Sequence, residues 1–263
     1  MIRTNWTWLL GLSVVLSLAG CGGGGEQPAA TEGAGGGGAA SSAPAATVDP
    51  ATAGTIMGKI AFTGEKPRQV QIRMDAVPAC AQAHSSPVYV QDAVVNDNGT
   101  LSNVFVYVKE GLGDARYAAS SPEVELDQSG CMYTPHVVGM TLGQKIRFKN
   151  TDPTNHNVHP LPMSNREWNQ SQPPGSEDIV QEFARPEVMI PVKCNVHPWM
   201  IAYVGVLPHP FFSVTGSDGS FEIKGLPPGD YVIEAWHEKF GTFRQNVTVG
   251  ASETKQVDFS IQG

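Results

Sequence analysis

The chain has 263 residues and a formal net charge of −8, with 17 lysines and arginines against 25 aspartates and glutamates. This length suits one or two domains, and the acidic balance disfavours nucleic acid and anionic lipid surfaces, which attract basic patches. Hydrophobic residues make up 41% of the chain, which is enough for a packed core, whereas 29 glycines and 20 prolines disfavour long helices.

Residues 1–20 have the pattern of an export signal. Arg3 precedes an apolar run over residues 8–18, which is short for a membrane span. The run ends in the letters LAGC, and this ending resembles the lipobox of bacterial lipoproteins. The resemblance implies cleavage before Cys21 and acylation of that cysteine; an ordinary secretory signal is the alternative. Both readings place the mature protein outside the cytoplasm, on the periplasmic side of a membrane or at the cell surface, and Gly22 mildly favours the outer membrane.

Residues 21–53 are almost entirely glycine, alanine, serine, proline and threonine, with no apolar periodicity. This composition is typical of a flexible linker. We therefore expect a disordered tether that holds a globular body away from the membrane to which the N-terminal lipid is attached.

The body of the chain, residues 54–263, consists of short runs rich in valine, isoleucine, phenylalanine and tyrosine, bounded by turn residues. No run shows a sustained helical period. The sequence therefore predicts an all-β protein built from sandwiches. The predicted strands are Thr55–Phe62, Val88–Val95, Asn103–Lys109, Glu123–Asp127, Gln144–Lys149, Glu187–Cys194, Ile201–Leu207, Ser220–Ile223, Tyr231–Ala235 and Gln245–Val249.

The segment from Cys194 to Met200 places a thiolate, the imidazole of His197 and a thioether within seven residues, between two predicted strands. A loop far upstream supplies a second imidazole from His156. Two imidazoles, one thiolate and a weak thioether form the type-1 copper ligand set. Zinc would normally bind cysteine and histidine without the methionine, and haem c attachment or a dithiol redox pair needs a second nearby cysteine.

These two motifs resemble the cupredoxins, the family of type-1 blue copper proteins with Greek-key sandwiches, and the short ligand loop is most similar to that of the amicyanins. The resemblance covers roughly residues 120–207. It implies that His156, Cys194 and His197 are the equatorial copper ligands and that Met200 is axial. It also implies that Asn157 ties the two ligand loops together. A degenerate cupredoxin whose cysteine and histidines merely pack is the alternative.

Three cysteines remain besides the one in the lipobox, and Cys194 belongs to the copper motif. Because free thiols tend to oxidise outside the cytoplasm, Cys80 and Cys131 are expected to form a disulfide. The alternative is a second metal site, since His84 and His136 follow these two cysteines closely. The remaining histidines, at positions 159, 209 and 237, are expected to make structural hydrogen bonds, with a metal role as the alternative.

Residues 208–263 contain an Asp-Gly turn, a phenylalanine strand and a Leu-Pro-Pro-Gly corner before a tyrosine strand. This pattern resembles the carboxypeptidase regulatory-like domain, a transthyretin-like β-sandwich. About 100 residues are usual for such a sandwich, so we hypothesise that residues 54–115 complete it and that a copper domain at 116–207 is inserted. A large N-terminal cupredoxin with a small C-terminal sandwich is the alternative.

The copper motif predicts a monomeric one-electron carrier rather than an enzyme, since no nucleophile–base pair emerges from the sequence. An apolar rim of Pro198 and Trp199 around His197 is expected to dock a redox partner transiently, and the acidic balance favours basic partners. Copper storage, delivery or sensing without turnover is one alternative. A structural module that binds the cell envelope through the second sandwich is another.

Overall fold

The computed structural model describes residues 45–263 and confirms the all-β prediction. The described part contains seventeen strands and one helix of five residues. In chain order these are β1 Gly54–Thr63, α1 Pro78–Gln82, β2 Phe105–Glu110, β3 Val124–Ser129, β4 Met132–Thr134, β5 Val137–Thr141, β6 Lys145–Asn150, β7 His156–Pro160, β8 Gln170–Gln172, β9 Ile179–Glu182, β10 Glu187–Lys193, β11 Ile201–Leu207, β12 Phe212–Val214, β13 Ser220–Leu226, β14 Gly229–His237, β15 Gly241–Val249, β16 Thr254–Gln256 and β17 Phe259–Gln262.

All but one of the predicted strands overlap an observed strand. The exception is Val88–Val95, which makes only isolated bridges at Tyr89 and Val95 and is therefore a correction. The strands that the sequence pattern missed are short, with three to five residues each. One of them is β7, so the predicted loop that carries His156 is in fact a strand.

The first sandwich combines strands from both ends of the described chain. The long strand β1 pairs with β13, β16 and β17 in one sheet, and β2 pairs with β12 and β14 in the other, where β14 also pairs with β15. Alternate residues of β1 are buried, as expected for a strand with one face on a core. The core between the sheets draws residues such as Ile56, Val106 and Ile233 from both ends of the chain.

The second sandwich is formed by the middle of the chain. One sheet has the strand order β5-β11-β10-β7-β8, and the other has the order β4-β3-β6-β9. Their shared core includes Leu126, Phe148 and Val192. The pairing of β7 with both β10 and β8 fixes the position of the first predicted ligand relative to the cysteine strand.

Residues 70–90, which we call segment 70–90, leave the first sandwich and pack on the core of the second. Ile72 and Met74 are buried in that core, and Cys80 forms a disulfide bond with Cys131. The predicted unit 54–115 is therefore corrected, because this part of it belongs with the copper motif. The sequence of segment 70–90 has no regular pattern, so it did not indicate which of the two sandwiches the segment contacts.

The two sandwiches share a small apolar contact region around Phe105. A Cβ atom added to Gly139 would lie 2.3 Å from the ring of Phe212, and one added to Gly205 would lie 2.7 Å from Cζ of Phe105. These distances are below normal van der Waals contact, so the close approach of β5 and β11 to the aromatic rings requires glycine at both positions.

The last residues of the predicted tether are packed on the first sandwich. The N–H of Ala46 donates to the carbonyl of Arg116 at 2.5 Å, and Val48 packs against the core. The disordered tether was predicted to extend to residue 53, and this end is corrected because Ala46 and Val48 already contact the folded body. The signal peptide, Cys21 and the rest of the tether lie outside the described residues. Residues 45–263 contain no helix with the length and hydropathy of a membrane span.

Candidate metal centre

Cys194 lies directly after β10, at the start of a tight loop that leads into β11. The N–H of Cys194 donates to the carbonyl of Met200 at 3.2 Å, and the N–H of Met200 donates to the carbonyl of His197 at 2.9 Å. These bonds close the loop on itself between two antiparallel neighbours. Cys194, His197 and Met200 are all buried as a result.

His156 is the first residue of β7 and is fully buried. Strand β7 runs antiparallel to β10, with Lys193 paired to His159. Because side chains alternate along a strand, His156 and His159 point to opposite faces, and His159 instead contacts Asn195 and Glu167 at the surface. The strand pairing thus brings only one of the two histidines to the cysteine.

Three donor atoms converge at this point. Nδ1 of His156 and Nδ1 of His197 are 2.9 Å apart, and Sγ of Cys194 lies 3.8 Å from each of them. Nitrogen and sulfur donors bound about 2.0–2.3 Å from one ion in a trigonal plane would be roughly 3.5–3.8 Å apart. The sulfur–nitrogen distances match this geometry, and the nitrogen pair is slightly closer. The donor set therefore fits a single metal ion with soft and borderline ligands.

Asn157 joins the two ligand segments, as the cupredoxin resemblance implied. Its Oδ1 accepts hydrogen bonds from the backbone N–H of Asn195 at 2.7 Å and of Val196 at 3.3 Å, and Sγ of Cys194 lies 3.5 Å away. Its Nδ2 donates to Oδ1 of Asn169. The side chain of Asn157 thus fixes the cysteine loop against β7.

Asp152 is a functional residue that the sequence interpretation missed. Its Oδ2 lies 2.9 Å from Nε2 of His156, and its carboxylate also accepts the backbone N–H groups of Gly130 and Cys131. A carboxylate on Nε2 favours the tautomer with its proton there, which leaves the lone pair of Nδ1 for a metal. An aspartate four residues before a histidine carries no distinctive pattern, so only the fold could reveal this contact.

The charges around the thiol favour its ionised form. Burial raises the pKa of Cys194, but hydrogen bonds from His156 and from the backbone N–H groups of Asn157, Val196 and His197 outweigh burial and lower it. Thiolate is the form that binds metals. The site therefore prepares its sulfur for coordination.

The two imidazoles differ in their surroundings. Burial lowers the pKa of His156, but its contacts with Asp152 and Cys194 outweigh burial and raise it. Burial and the neighbouring His156 lower the pKa of His197. For Asp152, burial raises the carboxyl pKa, but the hydrogen bond from His156 and two backbone N–H donors lower it overall. The carboxylate therefore stays ionised beside the imidazole.

Pro198 of the expected apolar rim is exposed and Trp199 is half-buried, but His197 itself does not reach solvent. The side chain is 1% exposed, because Sγ of Cys80 lies 3.6 Å from its Nε2 and segment 70–90 covers this edge. Val196 is half exposed, and Trp199 packs partly into the core with its Nε1 donating to the carbonyl of Cys131. The disulfide of Cys80 with Cys131, 51 residues away, was predicted, but its position against His197 depends on the fold and has no signal in the sequence.

The alternative was a second metal site that includes His84 and His136. Among the described residues, neither histidine belongs to a cluster of side chains that could hold a metal ion. His84 instead contacts the carbonyl of Gly130 at 2.6 Å, and His136 contacts Glu238. Nδ1 of His209 accepts a hydrogen bond from the backbone N–H of Phe211. Nδ1 of His237 accepts from the backbone N–H groups of residues 239 and 240.

A family model described as a carboxypeptidase regulatory-like domain matches residues 207–262. The matched residues form the C-terminal strands of the first sandwich, and the resemblance predicted for this region is confirmed. No curated protein matches the chain.

Solved structures similar to the chain include cupredoxins and a copper-containing enzyme. A Cu-containing nitrite reductase from Thermus scotoductus SA-01 matches with 18% identity and a TM-score of 0.30, over 37% of this chain and 25% of that one. A purple cupredoxin from Nitrosopumilus maritimus matches with 17% identity and a TM-score of 0.28, over 32% of this chain and 99% of that one. A Cu(I) amicyanin variant matches with 16% identity and a TM-score of 0.29, over 38% and 97%. The chain thus spans about a quarter of the nitrite reductase, and these likenesses concern fold alone.

Proposed function

We propose that the protein is a type-1 copper protein that carries single electrons outside the cytoplasm. The observation that supports this proposal is the meeting of one thiolate and two imidazole donors, from Cys194, His156 and His197, within 3.8 Å of one another in the core of the second sandwich. In this proposal Met200 is the axial ligand, since it is buried in the same loop and its backbone is bonded to His197.

Copper, when bound, supplies a one-electron couple between Cu(I) and Cu(II), and mixed sulfur and imidazole donors accommodate both states. The chain contributes rigidity. Asp152 holds the ring of His156, Asn157 holds the cysteine loop, and both ligand segments are backed by paired strands. A site whose ligands are already in position rearranges little when its charge changes, and this suits electron transfer.

The visible spectrum of the protein loaded with Cu(II) tests the proposal. We expect an intense thiolate-to-copper charge-transfer band in the native chain and its loss in Cys194→Ser. His159→Gln is the matched control, because this histidine lies on the same strand but faces away. The band should survive in this control. A native protein that binds one Cu(II) without such a band would overturn the assignment.

We further propose that the chain is tethered to a membrane through Cys21 and meets its redox partner there, as a monomer. The tether raises the local concentration of the carrier near membrane-bound partners. Expression of the native gene in a bacterium should place the protein in the membrane fraction, and Cys21→Ser should release it. Retention of the serine variant in the membrane fraction would contradict lipid anchoring.

Copper retention without electron exchange is a second candidate, and the burial of His197 favours it. Cys80 covers the Nε2 edge of His197, so a partner cannot touch this ligand directly. The rate of electron self-exchange between oxidised and reduced protein separates the two. Exchange that is fast on the NMR timescale supports the carrier, whereas slow exchange with ready transfer of copper to an apo-protein supports storage or delivery.

We propose that the protein is an electron carrier and not a nitrite-reducing enzyme. The reduced, copper-loaded protein should be stable in nitrite. Steady consumption of nitrite with an added electron donor would contradict the proposal.

A further inference from the structure

Segment 70–90 contacts the Nε2 edge of His197 through Cys80. Sγ of Cys80 is 3.6 Å from Nε2 of His197, on the opposite side of the ring from the Nδ1 atom that faces Cys194. Cys80 is the one fully buried residue of helix α1, and the other residues of this helix are exposed or half-buried. The imidazole is therefore separated from solvent by one layer of protein.

This layer is attached at several points. The disulfide joins Cys80 to Cys131, and Nε2 of His84 contacts the carbonyl of Gly130 at 2.6 Å. Ile72 anchors the start of the segment in the core. Backbone hydrogen bonds from residue 72 to residue 88 and from residue 90 to residue 70 close its two ends on each other, at 2.9 Å each. The segment is thus a closed loop that is fastened to the hairpin between β3 and β4.

The disulfide is inaccessible to reductants in the folded protein. Both of its cysteines are at most 1% exposed, so a thiol reductant cannot attack either sulfur without prior opening of the fold. The carboxylate of Asp152 holds the backbone N–H of Cys131 at 2.7 Å, and the same carboxylate contacts His156. Asp152 therefore contacts both the disulfide that holds segment 70–90 and the first proposed ligand.

We propose that segment 70–90 is a fixed lid that makes the site selective, passing electrons while excluding external copper ligands. This inference rests on the proposed function. An external ligand must touch the metal and so needs an open path through the protein. An electron needs only a short distance, and the contact between His197 and the disulfide keeps that distance to a single layer of side chains. The lid thus opposes the loss of copper and leaves only a short distance for an electron to cross.

The first test uses the metal-free protein. In native apo-protein, Cys194 should react slowly with iodoacetamide, as measured by the mass of the peptide that contains it. In Cys80→Ser/Cys131→Ser the reaction should be at least about tenfold faster, because loss of the cross-link lowers the free energy of local opening. Gln82→Ala, an exposed change on α1, is the control and should react as slowly as the native chain. Equal rates in the native chain and the double variant would overturn the lid.

A second variant guards against misfolding of the first. His84→Ala removes the hydrogen bond to Gly130 but keeps the disulfide. We expect its reaction rate to lie between those of the native chain and the double variant. A rate in His84→Ala as slow as that of the native chain, together with a double variant that unfolds, would also overturn the proposal.

The copper-loaded protein tests selectivity. Removal of Cu(I) by bathocuproine disulfonate should be at least about tenfold faster in the double variant, while oxidation by the outer-sphere reagent ferricyanide should change less than about threefold. Equal acceleration of both reactions would contradict selectivity. If the native chain binds no copper, the proposed function fails. If it binds copper but Cu(I) is removed equally fast from the native chain and the double variant, only the lid proposal fails.

Discussion

Oδ2 of Asp152 lies 2.9 Å from Nε2 of His156, at the far end of the ring from the Nδ1 atom that faces Cys194. The carboxylate thus sets both the tautomer and the direction of the first proposed ligand. Outer contacts of this kind typically change metal affinity by about 10–100-fold when they are removed.

Asp152→Asn should therefore weaken Cu(II) binding by about 10–100-fold, because the amide removes the charge that holds the imidazole. Competition with a chelator of known affinity measures the change. Asp127→Asn is a matched control, since it removes a carboxylate from a nearby strand that contacts Thr151 and no histidine. Equal affinities in the native chain and Asp152→Asn would show that the carboxylate does not orient the ligand.

Asn157→Ala should loosen the cysteine loop. The variant leaves the backbone N–H groups of Asn195 and Val196 without their acceptor, which typically costs about 1–3 kcal/mol when the groups are buried. Hydrogen exchange at these two amides should accelerate. Asn169→Ala is the control, because it removes only the partner of Nδ2 and leaves both Oδ1 contacts. Unchanged exchange at residues 195 and 196 would contradict the role given to Asn157.

The stability of the apo-protein should fall as the pH decreases from about 6.5 to about 4. Burial lowers the pKa of His209 and of His237 to about 4, from 6.5 in an unfolded chain. In this window the unfolded state binds more protons, so each histidine contributes stability that is present above pH 6.5 and lost as the pH falls to its folded pKa. The loss is of the order of 3 kcal/mol for each group.

Denaturant unfolding of the apo-protein at several pH values measures this slope. His209→Asn retains an acceptor for the N–H of Phe211 but cannot gain a proton in this range. We expect the slope between pH 6.5 and 4 to be smaller in the variant, because one of the buried histidines no longer gains a proton on unfolding. The same slope in the variant and the native chain would indicate that His209 does not titrate on unfolding.

A fragment of residues 208–263 should not fold by itself. Its strand β13 pairs with β1, and its strands β12 and β14 pair with β2, so the fragment exposes unpaired edges and half of a core. Circular dichroism and hydrogen exchange of the isolated fragment measure this. A cooperative unfolding transition in the fragment would favour a small independent C-terminal domain.

The sequence predicts the parts of the fold that depend on local patterns. The strand β1 shows alternating burial, and the spacing from Cys194 to Met200 fits a tight loop between neighbouring strands. Short strands such as β5 were not predicted, because five residues between turns give little periodicity. The parallel pairing of β5 with β11 is a long-range contact, which the local sequence does not indicate.

The site divides in the same way. His156 and Asn157 were found from a family motif, whereas Asp152 and segment 70–90 depend on how distant parts of the chain meet. The burial of His197 is the clearest example. Its own loop predicts an exposed edge, and only the disulfide between Cys80 and Cys131 brings the covering segment to it. The sequence predicted the disulfide itself from the count of cysteines, but nothing in the pattern indicated that Cys80 lies against His197.

The central claim is that one copper ion is held between two histidine nitrogens and one thiolate. The most direct test is a crystal structure of the copper-loaded protein with diffraction data collected at the copper absorption edge. We expect a single anomalous peak in the second sandwich, within bonding distance of Nδ1 of His156, Nδ1 of His197 and Sγ of Cys194. A peak elsewhere on the molecule, or three donors turned away from any common point, would contradict the account.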